Sequence, residues 1–167
     1  MKAKDLRNGT TFDLNGFIMQ VIEFEFKENS TIIVKAKNLL KNKFETLEMD
    51  ENATLETAYI DKTEAIFDYK DDDNHYFYND YTFDEYAIKN EYISKQFKYV
   101  KNGIRCTLLS YKGDFFDASL PRLVYLKVTA VNNGIATLEN GMKFQVPSYV
   151  KVNDEVSIDT ILDAFYN

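Results

Sequence analysis

The strongest constraint on this chain is its punctuation. Runs rich in Val, Ile, Thr, Phe and Tyr are cut again and again by short polar clusters. Examples are Leu14-Asn15-Gly16, Glu28-Asn29-Ser30, Asp72-Asp73-Asn74, Lys112-Gly113-Asp114, Asn132-Asn133-Gly134 and Glu139-Asn140-Gly141. Asn, Asp and Gly tolerate the positive φ of tight turns, and β-branched and aromatic residues suit a pleated, half-buried surface. Short strand-like runs broken this often predict a mostly β chain built from small barrels or sandwiches.

The runs fall into three units: residues 1–62, 63–123 and 124–167. In the first, Thr10 to Leu14 and Phe17 to Phe26 flank Asn15-Gly16, a hairpin turn signal. Thr31 to Leu40, Phe44 to Met49 and Leu55 to Ile60 follow, so five strands without a helical pattern predict a closed SH3-like barrel. The second unit offers Glu64 to Tyr69 and His75 to Tyr78 around an acidic turn. Thr82-Phe83-Asp84-Glu85 then matches a capping box. Ile93, Phe97 and Val100 lie at helical spacing and predict a helix from Asn90 to Lys101, stopped by Gly103. With strands Ile104 to Tyr111 and Phe115 to Leu120, this unit reads as an OB-like barrel. The third carries strands at Tyr125 to Val131, Ile135 to Leu138, Lys143 to Val146 and Glu155 to Ile158. It is small enough to need a neighbour for its stability.

Composition narrows the function classes. Lys and Arg number 20 against 27 Asp and Glu, a formal charge of −7. Such a chain lacks the general positive field of a non-specific nucleic-acid binder. No apolar run approaches the roughly 20 residues of a membrane span, and the opening Met1-Lys2-Ala3-Lys4-Asp5-Leu6-Arg7 has no apolar stretch behind its charges. The expectation is a cytoplasmic protein without membrane association. One Cys gives neither a disulfide framework nor a structural zinc site.

Catalytic constellations are missing: the sequence has no GxxxxGK[ST], GxGxxG or HExxH pattern, and no metal or cofactor is expected. The single His, His75, reads as a surface residue in a strand after a turn. Asp71-Asp72-Asp73 lacks the spaced ligands of a calcium loop and reads as a solvated turn. Cys106 sits in an alternating strand and reads as core packing. The arms Gln20 to Phe26 and Thr31 to Lys37 are long for so small a barrel. Their polar tip, Lys27-Glu28-Asn29-Ser30, is open to two readings, a presenting finger or an ordinary solvated turn.

Lys4-Asp5-Leu6-Arg7-Asn8-Gly9, Asn15-Gly16 and Gln20-Val21-Ile22-Glu23-Phe24 resemble the start of bacterial elongation factor P. Ala58-Tyr59-Ile60-Asp61 extends the match. The most specific part is Asp68-Tyr69-Lys70-Asp71-Asp72-Asp73-Asn74-His75-Tyr76-Phe77-Tyr78-Asn79-Asp80 with Thr82-Phe83-Asp84-Glu85. Phe97-Lys98-Tyr99-Val100-Lys101, Ser119-Leu120-Pro121 and Gln145-Val146-Pro147 add support, and the similarity runs in order through nearly the whole chain.

The resemblance implies a translation factor, not an enzyme. It implies a KOW/SH3-like barrel followed by two OB-like barrels in an elongated L that mimics tRNA. Such a factor works as a monomer on the ribosome, touching ribosomal RNA, ribosomal proteins and peptidyl-tRNA. It promotes peptide-bond formation at stalled, polyproline-type sites. The family's first-domain tip reaches toward the peptidyl-transferase centre, which here assigns Lys27, Glu28, Asn29 and Ser30, with Lys35 and Lys37 on the arm as candidate phosphate contacts. A Lys-modifying enzyme is a further partner of the family. The sequence departs from the family at two places. Its tip is shorter and lacks Gly and Pro, and the long third-domain loop is reduced to Asn132-Asn133-Gly134. These departures keep a second reading open: a divergent paralogue that binds the ribosome or a protein as a regulatory module, without a role at the peptidyl-transferase centre.

Overall fold

Two-residue hairpin turns organise the chain. Asn15 and Gly16 have φ of 55° and 84°, and Asn133 and Gly134 have 51° and 76°. Both residues of each pair lie in the left-handed region, as a primed turn requires when it must match strand twist. The computed structural model describes residues 1–166. Within them lie β1 (Thr11–Leu14), β2 (Phe17–Phe26), β3 (Thr31–Asn38), β4 (Lys43–Asp50) and β5 (Glu56–Thr57), followed by β6 (Asp61–Lys70), β7 (Asn74–Tyr78) and β8 (Glu85–Lys89). Next come β9 (Arg105–Tyr111), β10 (Asp114–Ser119), β11 (Leu123–Asn132), β12 (Ile135–Leu138), β13 (Lys143–Gln145), β14 (Glu155–Asp159) and β15 (Ala164–Phe165). They form three five-stranded sheets, ordered β4-β3-β2-β1-β5, β10-β9-β6-β7-β8 and β13-β12-β11-β14-β15. The mostly β expectation holds.

Contacts group the chain into two compact units, one of residues 1–62 with 109–116 and one of residues 63–108 with 117–167. In the first, β2 changes phase at a bulge between Val21 and Glu23. Met19 and Val21 face inward before it, Phe24 inward after it, and Glu23 and Glu25 therefore stay outside. Without the extra residue the same strand would bury two carboxylates. Leu6, Phe12, Met19, Ile32 and Val34 fill one core. Ile18 and Ala58 join Tyr111 and Phe116 of the β9–β10 hairpin tip in another. The end strands β4 and β5 are joined by residues 51–55, against which the N-terminal segment lies: Ala3 N donates to Ala53 O and Leu55 N to Met1 O. β5 is only two residues long, so Leu55 to Ile60 is mostly not strand.

Two expectations in the second unit fail for local reasons. Thr82 to Glu85 caps no helix. Phe83 takes φ 58°, Thr82 Oγ1 donates to Asp84 Oδ2, and Glu85 opens strand β8. A left-handed residue at that point cannot continue a right-handed turn. The helix from Asn90 to Lys101 resolves into two 3₁₀ segments, Asn90–Tyr92 and Lys95–Tyr99, because Ile93 and Ser94 between them are extended. Phe97 still points inward, and Tyr99 with it.

Tyr99 is fully buried, and its hydroxyl is the one buried side-chain polar atom without a hydrogen-bond partner among the described residues. An unpaired buried hydroxyl costs about 1–3 kcal/mol. Tyr99→Phe is therefore expected to hold or raise stability, by about 1 kcal/mol. A drop in the urea midpoint would contradict this.

Candidate functional site

The β2–β3 hairpin carries the tip residues assigned from sequence. Lys27, Glu28, Asn29 and Ser30 are all exposed. Asn29 and Ser30 both adopt left-handed φ, 60° and 56°, in a turn that has no glycine. The turn is fixed from both sides: Lys27 N donates to Thr31 O at 2.7 Å, and Glu51 N donates to Ser30 O at 2.8 Å.

The arms do not project as a free two-stranded finger. β4 pairs with β3 along its whole length, from Lys43 opposite Asn38 to Asp50 opposite Thr31. Only the four tip residues extend past the third strand. Lys27 turns back along its own strand, its Nζ 2.6 Å from Glu25 Oε1. Glu25, two residues upstream, rather than the adjacent Glu28, is the group that neutralises it. Sequence reading missed this because side chains two apart meet only once the strand's facing is known. Phe26 stays half exposed at the end of the inner face, edge-on to Phe24 at 5.9 Å.

Lys35 is exposed and Lys37 half-buried, on the outer face opposite buried Val34 and Ala36. Lys35 lies across from Glu23 and Thr46, Lys37 across from Gln20 and Phe44. The same face carries Glu25 and Glu48 flanking Ile33, and Asp50 opposite Thr31. Lys35 therefore has Glu23 directly opposite and Glu25 and Glu48 one step along the face, whereas Lys37 has no carboxylate across from it, so Lys35 is the less attractive of the two to phosphate. Lys35 stands four residues, roughly 13 Å, along the strand from Thr31. The tip and these lysines are parts of one sheet but not one cluster.

Asn132 ends β11, and Asn133-Gly134 is the two-residue turn into β12, all exposed in the second unit. Its neighbour Ile135 is 45% exposed. The segment has no length beyond the turn itself.

Of three other residues singled out in the sequence, one departs from its reading and two follow it. His75, expected at the surface, is buried on the inner side of β7 between Phe67 and Phe97. Its Nδ1 donates to Asn90 Oδ1 at 2.6 Å, since that oxygen can only accept. Burial pushes the His75 pKa down, against a smaller upward pull from Asn90. Cys106 is buried as expected, and desolvation raises its thiol pKa to about 12, so it is no nucleophile at neutral pH. Asp71 Oδ1 accepts the Asp73 and Asn74 amides, and Tyr76 OH donates to its Oδ2, so this carboxylate shapes the turn.

Comparison with known proteins gives the arrangement its context. Residues 2–46 match the elongation factor P (EF-P) KOW-like domain, residues 60–118 the EF-P OB domain and residues 127–167 the elongation factor P C-terminal domain. Elongation factor P of Acetivibrio thermocellus is 32% identical, over 96% of this chain and 95% of that protein. That of Agathobacter rectalis is 30% identical over the same shares, and that of Dictyoglomus turgidum 29%. Among solved structures, the eukaryotic translation initiation factor 5A from Methanococcus jannaschii aligns with a TM-score of 0.60. It is 10% identical and covers 74% of this chain and 92% of its own. A translation initiation factor eIF-5A family protein from Naegleria fowleri aligns at 0.53, with 9% identity. These two likenesses establish the fold. Three matched segments in order, with relatives at 30% and above over nearly the full length, establish more: this chain belongs to the elongation factor P family.

Proposed function

We propose that the chain is a translation elongation factor, not an enzyme. It binds the ribosome beside peptidyl-tRNA and speeds peptide-bond formation at stalled, polyproline-type sites. Family membership over the whole length is the observation that carries this reading. The chemistry is positioning: a rigid exposed turn at Lys27–Ser30 steadies the acceptor end of the tRNA, so a slow donor spends more time in a reactive geometry. The turn's two backbone anchors supply the stiffness. Lys35 and Lys37 are secondary contacts to ribosomal RNA phosphates, and the Asn132-Asn133-Gly134 turn carries no such role.

The test is reconstituted translation of a reporter with consecutive prolines, with and without the factor. Faster synthesis at the prolines is expected. Lys27→Ala is expected to lower the gain by about tenfold or less, because Glu25 already compensates the charge, whereas losing the positioning altogether costs on the order of 10²-fold. No gain from the unaltered factor overturns the reading.

One observation favours a second reading, a module that binds the ribosome or a protein without acting at the peptidyl-transferase centre. The tip extends only four residues past β4, and its cation is already paired. Ribosome binding without any gain at prolines would select it. A Lys-modifying enzyme would have to take Lys27 out of its Glu25 pair; an unshifted intact mass of the native protein excludes one.

A further inference from the structure

The loop between β7 and β8, residues 79–84, holds two aromatic rings in solvent. Tyr81 is 84% exposed and Phe83 77%. Exposure of this size usually belongs to a loose segment, and this one is tightly bonded. Asn79 Oδ1 accepts the amides of Tyr81 and Thr82 at 2.8 and 3.0 Å. Phe83 N donates to Asn79 O at 2.8 Å, Asn79 N donates to Asp84 O at 2.9 Å, and Asp80 is paired with Arg105 at 2.6 Å.

Phe83 also takes a backbone conformation that bulky residues avoid, φ 58°. Among the described non-glycine residues with positive φ it is the one aromatic; five of the others are Asn. A loop that needed only to turn would be served better by Asn or Gly at this position. The side chain is kept where the backbone disfavours it, and it is kept outside. Strain of this kind points from the outlier to a function.

The charges around the rings identify the occupant. Asp80 is paired with Arg105, the cation beside the loop, which leaves Asp84 in the loop and Glu85 just after it as the carboxylates beside the rings. Phosphate is repelled by such a setting. A guanidinium or ammonium group fits it twice, over the face of a ring and against a carboxylate. We propose that the 79–84 loop is a docking site for an Arg/Lys-rich protein segment. The segment's place on the ribosome rests on the function proposed above; its chemistry does not.

The experiment uses the full chain and a fluorescein-labelled peptide of alternating Arg and Lys, with an uncharged peptide and a single-stranded RNA oligonucleotide of equal length beside it. Tyr81→Ala with Phe83→Gly removes both rings, leaves the net charge untouched and relieves the strained φ; circular dichroism checks the fold. Anisotropy is expected to show binding of the basic peptide alone, weakened about five- to tenfold in the double variant. Asp84→Asn with Glu85→Gln is expected to weaken it too. Equal affinity for the unaltered and ring-free proteins, which means general acidic attraction only, overturns the proposal. So does ring-dependent binding of the RNA in preference to the peptide. Sedimentation with purified ribosomes separates the two claims. If the ring-dependent peptide affinity holds while the unaltered chain fails to bind ribosomes, the ribosomal reading falls and the docking site stands. If ribosomes bind and the peptide does not, the docking site falls alone.

Discussion

Tyr111→Ala is expected to cost the first unit about 3–5 kcal/mol, enough to unfold a marginal domain at ordinary temperature. The ring is buried with Ile18, Ala58 and Phe116, and its hydroxyl donates to Asp13 Oδ2 at 2.6 Å. Asp13 Oδ1 also accepts the Gly16 amide, which closes the β1–β2 turn, and Lys112 Nζ lies 3.0 Å from Oδ2. One tyrosine therefore supports both a core and a turn. Tyr111→Phe separates the two contributions, since it keeps the ring and removes only the hydrogen bond, at about 1–2 kcal/mol. The pH dependence identifies the partner. The Tyr111 hydroxyl, then the Gly16 amide and then Lys112 hold the Asp13 pKa down, from 3.8 to about 2. Between those values the unfolded chain binds the proton and the folded one does not. The contribution is therefore complete above pH 3.8 and is lost as pH falls through about 2. Tyr111→Phe raises the Asp13 pKa and flattens that acid loss. Hydrogen exchange at the Val21 and Val34 amides reads the stability of this unit. Equal protection in the unaltered and Tyr111→Phe proteins at pH 7 would disprove the account.

Much of this was legible in the sequence because it is local. Alternation in β3, with Val34 and Ala36 in and Lys35 out, follows from a period of two. Asn15-Gly16 and Asn133-Gly134 carry their own turn geometry. Asn29 and Ser30 mark the tip for the same reason, though not its anchor to Glu51, which lies 21 residues on. What escaped was set by distant partners. The pattern Thr82 to Glu85 is a good helix start by residue type, but a helix needs a following face to bury. Here Ile88 is instead buried in a strand paired with β7. His75 looks polar in isolation and is enclosed because Phe67 and Phe97 converge on it. The grouping of Leu109–Phe116 with the first unit depends on contacts about a hundred residues apart, Tyr111 with Asp13 among them. No local pattern encodes such a contact. At the candidate site, the residue types at the tip were visible, while the Glu25 pair that neutralises Lys27 was not.

The second large effect is expected at Phe97, where alanine should destabilise the second unit by about 3–5 kcal/mol. The ring is 4% exposed and meets Phe77 at 5.9 Å, Phe67 at 6.4 Å and His75 at 5.4 Å, all near-perpendicular. Edge-to-face pairs add about 0.5–1.5 kcal/mol each to the burial of the ring. The segment that carries it, Lys95–Tyr99, is a single short 3₁₀ stretch and has little stability of its own. Packing holds the segment, so removing the ring should release it as well as open a cavity. His75 reports this directly, being the only histidine in the chain. In the intact protein its burial lowers the pKa from 6.5, so the unfolded chain takes up the proton first as pH falls. Stability is thus full above pH 6.5 and declines below it, until the folded-state pKa is passed. Phe97→Ala admits water to the imidazole and lets the pKa rise toward 6.5, which weakens that decline. The gap in stability between the two proteins should therefore be widest above pH 6.5 and narrow in acid. An NMR titration of the His75 ring with urea melts at pH 7.5 and 5.5 measures both. An unshifted pKa in the unaltered protein, or a gap that widens in acid, would refute the coupling between Phe97 and His75.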